Sequence, residues 1–145
     1  MSLWILDTDH ISLLQRNHPN VKQRLLLIDP NKIFVTVITF EEQMRGRLNQ
    51  VKQAKSQESL ISAYHALRET IEDYKRLNLL DFDKDAYSCY MNLLRQKIRI
   101  GSQDLRMAAI ALSVDGIIVT RNHKDFSKVP NLRIEDWTLA SSIKP

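Results

Sequence analysis

The strongest constraint on the fold is an alternation of two patterns. Short apolar stretches rich in branched residues are separated by longer segments in which apolar residues recur every three or four positions. Leu3 to Leu6 and Ile33 to Val37 read as buried strands, Leu79 to Phe82 as a weaker third, Ile117 to Thr120 as a fourth, and Leu132 to Ile134 as a short fifth. Helices are expected at Ile11 to Gln15 behind an Asp9 cap, at Val21 to Ile28 after Asn20, and from Thr39 to about Leu48. Three amphipathic segments follow, carried by Ile61, Tyr64, Leu67, Ile71 and Tyr74, then by Tyr87, Tyr90, Met91, Leu94 and Ile98, then by Leu105, Ala108, Ala109 and Leu112. Parallel strands need crossover connections, which are usually helical, so this order predicts an α/β fold whose mostly parallel sheet is covered by helices on both faces. In open sheets of that kind ligands bind beyond the carboxyl ends of the strands.

At 145 residues, with 43% hydrophobic and 26% charged residues and only three glycines, residues 1–145 are expected to form a single domain with a sizeable core. Cys89 is the only cysteine, which excludes an internal disulfide or a cysteine-rich zinc site and suits a reducing cytoplasm. The four histidines show no ligand spacing. No segment approaches the ~18 apolar residues of a membrane span, and no signal peptide is evident, so a cytoplasmic protein with no membrane contact is expected. The net charge of +4 permits a polyanionic partner. Basic residues cluster around Arg45, Arg47, Lys52 and Lys55, around Arg95, Lys97 and Arg99, and around Arg121, His123, Lys124 and Lys128.

The first strand runs into Asp7 and Asp9, and other acids follow where the chain should return to the same edge. Glu41 and Glu42 lie early in a helix that Thr39 could cap. Asp104 lies early in a helix that Ser102 could cap, and Asn122 and Asp125 follow the fourth strand. Each has an ordinary structural role open to it: a Thr39–Glu42 capping box, a favourable helix dipole for Asp104, a turn for Asp125. Gathered at one edge, however, several carboxylates repel unless a cation binds them, and hard oxygen donors suit Mg²⁺ or Mn²⁺. One or two such ions could promote in-line displacement at phosphate. With Arg95, Lys97 and Arg99 just before Asp104, a phosphodiester backbone is a fitting substrate.

Four segments, WILDTDHISLL, VITFEEQMRG, GSQDLRMAAIAL and IIVTRNHKDFSKVPNLRIEDW, together resemble the PIN-domain ribonucleases in order and spacing, specifically the VapC-type toxins of bacterial toxin-antitoxin pairs. The resemblance implies a three-layer α/β/α sandwich and a Mg²⁺- or Mn²⁺-dependent endoribonuclease. Carried over by motif, Asp7, Glu42 and Asp104 are the implied metal ligands. At the fourth family position stands Asn122, with Asp125 three residues later; either Asn122 orients water or Asp125 supplies the carboxylate. Asp9 replaces the family's usual asparagine and reads as a helix cap. Gln43 replaces an aliphatic residue, and nothing in the sequence accounts for it. Thr8 and Thr120 offer hydroxyls to water or phosphate, and Arg95, Lys97, Arg99 and Arg121 are the expected substrate-backbone contacts. The resemblance also implies a homodimer, an RNA substrate, a 5′-phosphate and 3′-hydroxyl product, and a cognate antitoxin, with the helices between Leu60 and Ile98 as candidate contacts. Two rivals remain: a PIN-like binding module with a degenerate centre, and an aspartyl-phosphate phosphatase using Asp7-Thr8-Asp9.

Overall fold

The computed structural model describes residues 2–140. Its elements follow in the order β1 (Trp4–Leu6), α1 (Thr8–Gln15), α2 (Pro19–Leu26), β2 (Ile33–Thr36), α3 (Val37–Gln53), α4 (Gln57–Lys75), β3 (Asn78–Leu80), α5 (Lys84–Arg95), α6 (Ser102–Ser113), β4 (Ile117–Val119), α7 (His123–Phe126) and β5 (Arg133–Glu135). The five strands form one sheet in the order β3-β2-β1-β4-β5, and every pairing is parallel. The third strand begins one residue earlier than its apolar run suggests and ends at Leu80, where Asp83 starts to cap α5.

Alternation along the strands separates two cores, because successive side chains in a strand point to opposite faces. Ile5 and Ile118 pack on one face with Leu93, Leu105, Met107, Ala108 and Phe126, which belong to α5, α6 and α7. Leu6, Val35 and Val119 pack on the other with Ile11, Val21 and Tyr74 of α1, α2 and α4, and with Trp137. Helices thus cover both faces, and the arrangement is the α/β/α sandwich. Full burial of Ile5, Leu6, Ile118 and Val119 contributes about 1.5–3 kcal/mol for each side chain. Gly116 permits the closest approach in this packing: a Cβ there would lie 2.7 Å from Ile5 Cδ1.

The first strand is central. To one side β2 and β3 follow it, to the other β4 and β5, so the strand order reverses between β1 and β4. That reversal opens a crevice at the carboxyl ends of the strands, where α1 and α6 also begin.

Candidate active site

Asp7 follows β1 directly, and its amide extends the ladder to Val119 at 3.1 Å. Its backbone is still extended (φ −74°, ψ 175°), so Asp7, and not Asp9, is the N-cap of α1. Its Oδ1 accepts from the His10 amide at 2.8 Å and lies 3.2 Å from His10 Nδ1, while Oδ2 has no hydrogen-bond partner among the described residues. Asp9 instead lies in the first helical turn and forms a bidentate ion pair with Arg121, with both N···O distances 2.7 Å. Hydrogen bonding to Arg121 holds the Asp9 carboxyl below its ordinary range. The same contact occupies the Arg121 guanidinium, which the sequence suggested for substrate.

The helix from β2 begins earlier than Thr39. Thr36 is extended and its hydroxyl accepts from the Thr39 amide, so no Thr39–Glu42 capping box forms and Glu42 falls in the second turn of α3. Glu42 accepts a short hydrogen bond from Thr8 Oγ1, which also lies 3.3 Å from Thr39 Oγ1. The Thr8 hydroxyl is therefore committed to Glu42. Neighbouring Glu41 is exposed and turned to Arg45 at 2.8 Å and Gln103 at 3.0 Å.

Asp104 lies in the first turn of α6, whose N-cap is Gly101 with no side-chain cap; Ser102 is already inside the helix. No side-chain hydrogen bond or ion pair engages Asp104 among the described residues. Burial first, then the charges of Glu42, Asp7 and Asp125, push its pKa up to about 6. This is opposite to the direction a helix N-terminus favours, so desolvation and like charge outweigh the dipole here. Beyond β4, Asn122 caps α7, accepting from the Asp125 amide at 3.3 Å and donating to Asp125 Oδ2 at 3.1 Å. Thr120 Oγ1 accepts from the Asn122 amide at 2.9 Å, so this hydroxyl too serves the fold.

Four elements thus bring Asp7, Glu42 and Asp125 within electrostatic reach of Asp104 at the sheet's carboxyl edge. Among the described residues, no lysine or arginine lies within 4.0 Å of the carboxylates of Asp7, Glu42 or Asp104, whereas Asp125 has Lys128 Nζ at 3.7 Å. Ligand atoms of Asp7, Asp9 and His10 also lie within 4.8 Å of one another, but Arg121 engages Asp9, and Asp7 and the Trp137 amide engage the His10 ring, which leaves Asp7 as the donor this group offers. Oxygen donors free of protein cations suit a hard divalent ion. Arg95, Lys97 and Arg99 are exposed in the segment that ends α5 and leads to α6, with Lys97 in the left-handed region at φ 58°.

Two features of this surrounding escaped the sequence. His10 is fully buried between Asp7 and the Trp137 amide, which donates to Nε2 at 3.2 Å. The available signal was a histidine three residues after an acid at a helix start. Gln43, unexplained before, is buried and binds Tyr74 Oη at 2.8 Å, Gln15 Oε1 at 3.0 Å and Ser12 Oγ at 3.3 Å.

A family model described as the PIN domain matches residues 4–132, a span that includes all four acids. The chain belongs to the PIN-domain family. Ribonuclease VapC1 of Haemophilus influenzae (strain R2866) is 30% identical to it over 142 residues, covering 94% of this chain and 98% of the relative. The tRNA(fMet)-specific endonuclease VapC of Shigella flexneri is also 30% identical, over 95% of this chain and 100% of the relative. Among solved structures, DNA-bound VapBC from Salmonella typhimurium superposes with a TM-score of 0.76 at 25% identity, covering 94% of this chain and 99% of that one. The parallel strand order of this sheet accounts for where the acids stand, and no helix among the described residues is long and apolar enough to cross a membrane.

Proposed function

We propose that this PIN domain, spanning residues 1–145 as a single unit, is a metal-dependent endoribonuclease and the toxin of a toxin-antitoxin pair. The observation that carries the reading is the gathering of Asp7, Glu42 and Asp125 around the half-buried Asp104 at the carboxyl edge of the sheet, where burial first and then their charges raise its pKa to about 6. Such crowding disfavours ionisation unless a cation is bound, and oxygen donors select Mg²⁺ or Mn²⁺. Similarity to the VapC ribonucleases supports RNA as substrate, and similarity to VapBC supports an antitoxin partner.

Asp7 and Asp104 would hold the ion, and Glu42 would complete the site or bind water beside it. When bound, the ion supplies Lewis acidity toward phosphate and favours deprotonation of water. The chain's own residues set the geometry. Thr8 fixes the Glu42 carboxylate, His10 and the α1 amide fix one oxygen of Asp7, and Asn122 orients Asp125. Asp125 is the fourth acid, because the Asn122 side chain is engaged as a cap. Arg95, Lys97 and Arg99 hold the RNA backbone on the approach to α6; addition of water to phosphorus with cleavage of the P–O3′ bond leaves a 5′-phosphate and a 3′-hydroxyl. The protein acts in the cytoplasm as a homodimer.

The test is cleavage of total cellular RNA by purified protein in Mg²⁺ or Mn²⁺, beside an EDTA control and the Asp104→Asn variant. Cutting by the wild type alone, lost in both controls, is the expected result. Cutting that survives Asp104→Asn overturns the assignment of the centre, and cutting that survives EDTA overturns its dependence on metal.

A further inference from the structure

Both nitrogens of the buried His10 ring have partners. On one side Nδ1 faces Asp7 Oδ1 at 3.2 Å; on the other Nε2 accepts the Trp137 amide at 3.2 Å, with Asp136 Oδ1 beyond hydrogen-bond distance at 3.7 Å. A backbone amide can only donate, so Nε2 carries no proton in this contact and the ring proton belongs on Nδ1, facing Asp7. Asp7 Oδ1 consequently receives two donors from one residue, the His10 amide at 2.8 Å and Nδ1–H, while Oδ2 keeps no protein partner among the described residues. His10 and Trp137 are both 0% exposed, so water cannot take the place of either. An imidazole at such a position is costly to bury unless each polar atom is satisfied, and an aliphatic side chain would fill the space without that demand. The helix cap alone needs no ring, since the His10 amide already supplies it.

We propose that His10 is a positioning residue for the acidic centre: fixed as its Nδ1–H tautomer by the Trp137 amide, it holds Asp7 so that one carboxylate oxygen remains free for the cation. The segment just beyond β5 thereby acts on the centre through a single side chain. This inference rests on the reading of Asp7 as a metal ligand. It also separates His10 from the ligands themselves, because neither ring nitrogen has a lone pair available to an ion. Hydrogen-bonded supports of this kind orient ligands, and their loss usually weakens metal binding by about 10–100-fold.

Two measurements test it. Long-range ¹H–¹⁵N correlation spectra of the wild-type imidazoles identify which His10 ring nitrogen carries a proton, with no variant to misfold. The expected result is a protonated Nδ1 and a bare Nε2; an Nε2–H tautomer overturns the proposal. The second is Mn²⁺ affinity, read from the free-ion electron paramagnetic resonance signal, for wild type, His10→Asn and His10→Gln. Asparagine places its amide nitrogen at the same bond count from the backbone as Nδ1, whereas glutamine reaches the Nε2 position and removes the donor from Asp7. His10→Gln should raise the Mn²⁺ dissociation constant about tenfold or more, and His10→Asn should stay within about threefold of wild type. Equal affinities for the two variants overturn the positioning role alone. A wild-type protein that takes up no Mn²⁺ overturns the metal-centre reading and this inference with it.

Discussion

Asp104 illustrates how one residue sets function against stability. Its pKa is raised from the ordinary 3.8 to about 6 by burial and by Glu42, Asp7 and Asp125. Without metal, the folded state binds this proton more tightly than the unfolded state, so the ionised carboxylate costs stability that grows as pH rises from about 4 through about 6. Asp104→Asn should therefore stabilise the metal-free protein at neutral pH, by about 1 kcal/mol after discounting for its partial exposure. It should also abolish the extra stability that Mn²⁺ confers on the wild type. Urea unfolding with and without Mn²⁺ at pH 5 and pH 8 checks both statements, and the variant's advantage should shrink at the lower pH. Asp9 is the contrasting case: Arg121 neutralises it, so the added carboxylate near the centre brings little repulsion.

At the scale of elements, Gln43 joins three helices. Its amide links Ser12 and Gln15 of α1 to Tyr74 of α4 across α3, and Gln15 reaches on to Asp73 at 3.0 Å. Because Glu42 is the next residue, this network fixes the rotation of the helix that carries a site acid. Gln43→Leu leaves the buried Tyr74 hydroxyl without its acceptor and should cost about 1–3 kcal/mol in urea unfolding; adding Tyr74→Phe should recover most of that loss, since removing both polar groups together is nearly neutral. What the sequence revealed divides along the same line. Strands at Ile5, Val35 and Ile118 were legible because burial on both faces demands continuous short apolar runs, and the acids were legible because parallel topology sends strand ends to one edge. Helix starts shifted by two or three residues because Asp7 and Asp9, or Thr36 and Thr39, are equally good acceptors; only the extended backbone at Asp7 and Thr36 decides between them. His10 and Gln43 were opaque for a different reason: their partners lie 127 and 31 positions away in the chain.

Across the whole molecule, the net charge of +4 is distributed unevenly in its availability. Arg45, Arg24 and Arg121 are engaged by Glu41, Glu135 and Asp9, whereas Arg95, Lys97 and Arg99 are exposed and make no ion pair among the described residues. These three should therefore dominate the electrostatic part of RNA binding. Replacing all three with glutamine in the Asp104→Asn background should reduce the slope of log affinity against log salt by about 2, at roughly 0.7 per phosphate contact on single strands. Fluorescence anisotropy with a labelled RNA at several salt concentrations measures the slope, which Arg121→Gln should change far less. The central placement of β1 reaches further still. The strand made first is flanked by one that starts at Ile117, and Trp4 and Trp137 both donate to Glu135 of the last strand. During synthesis Asp7 therefore leaves the ribosome long before its neighbours exist, and His10 waits for a residue 127 positions later. The nascent chain carries an unassembled centre, beside a particle made largely of RNA, until Trp137 has been made.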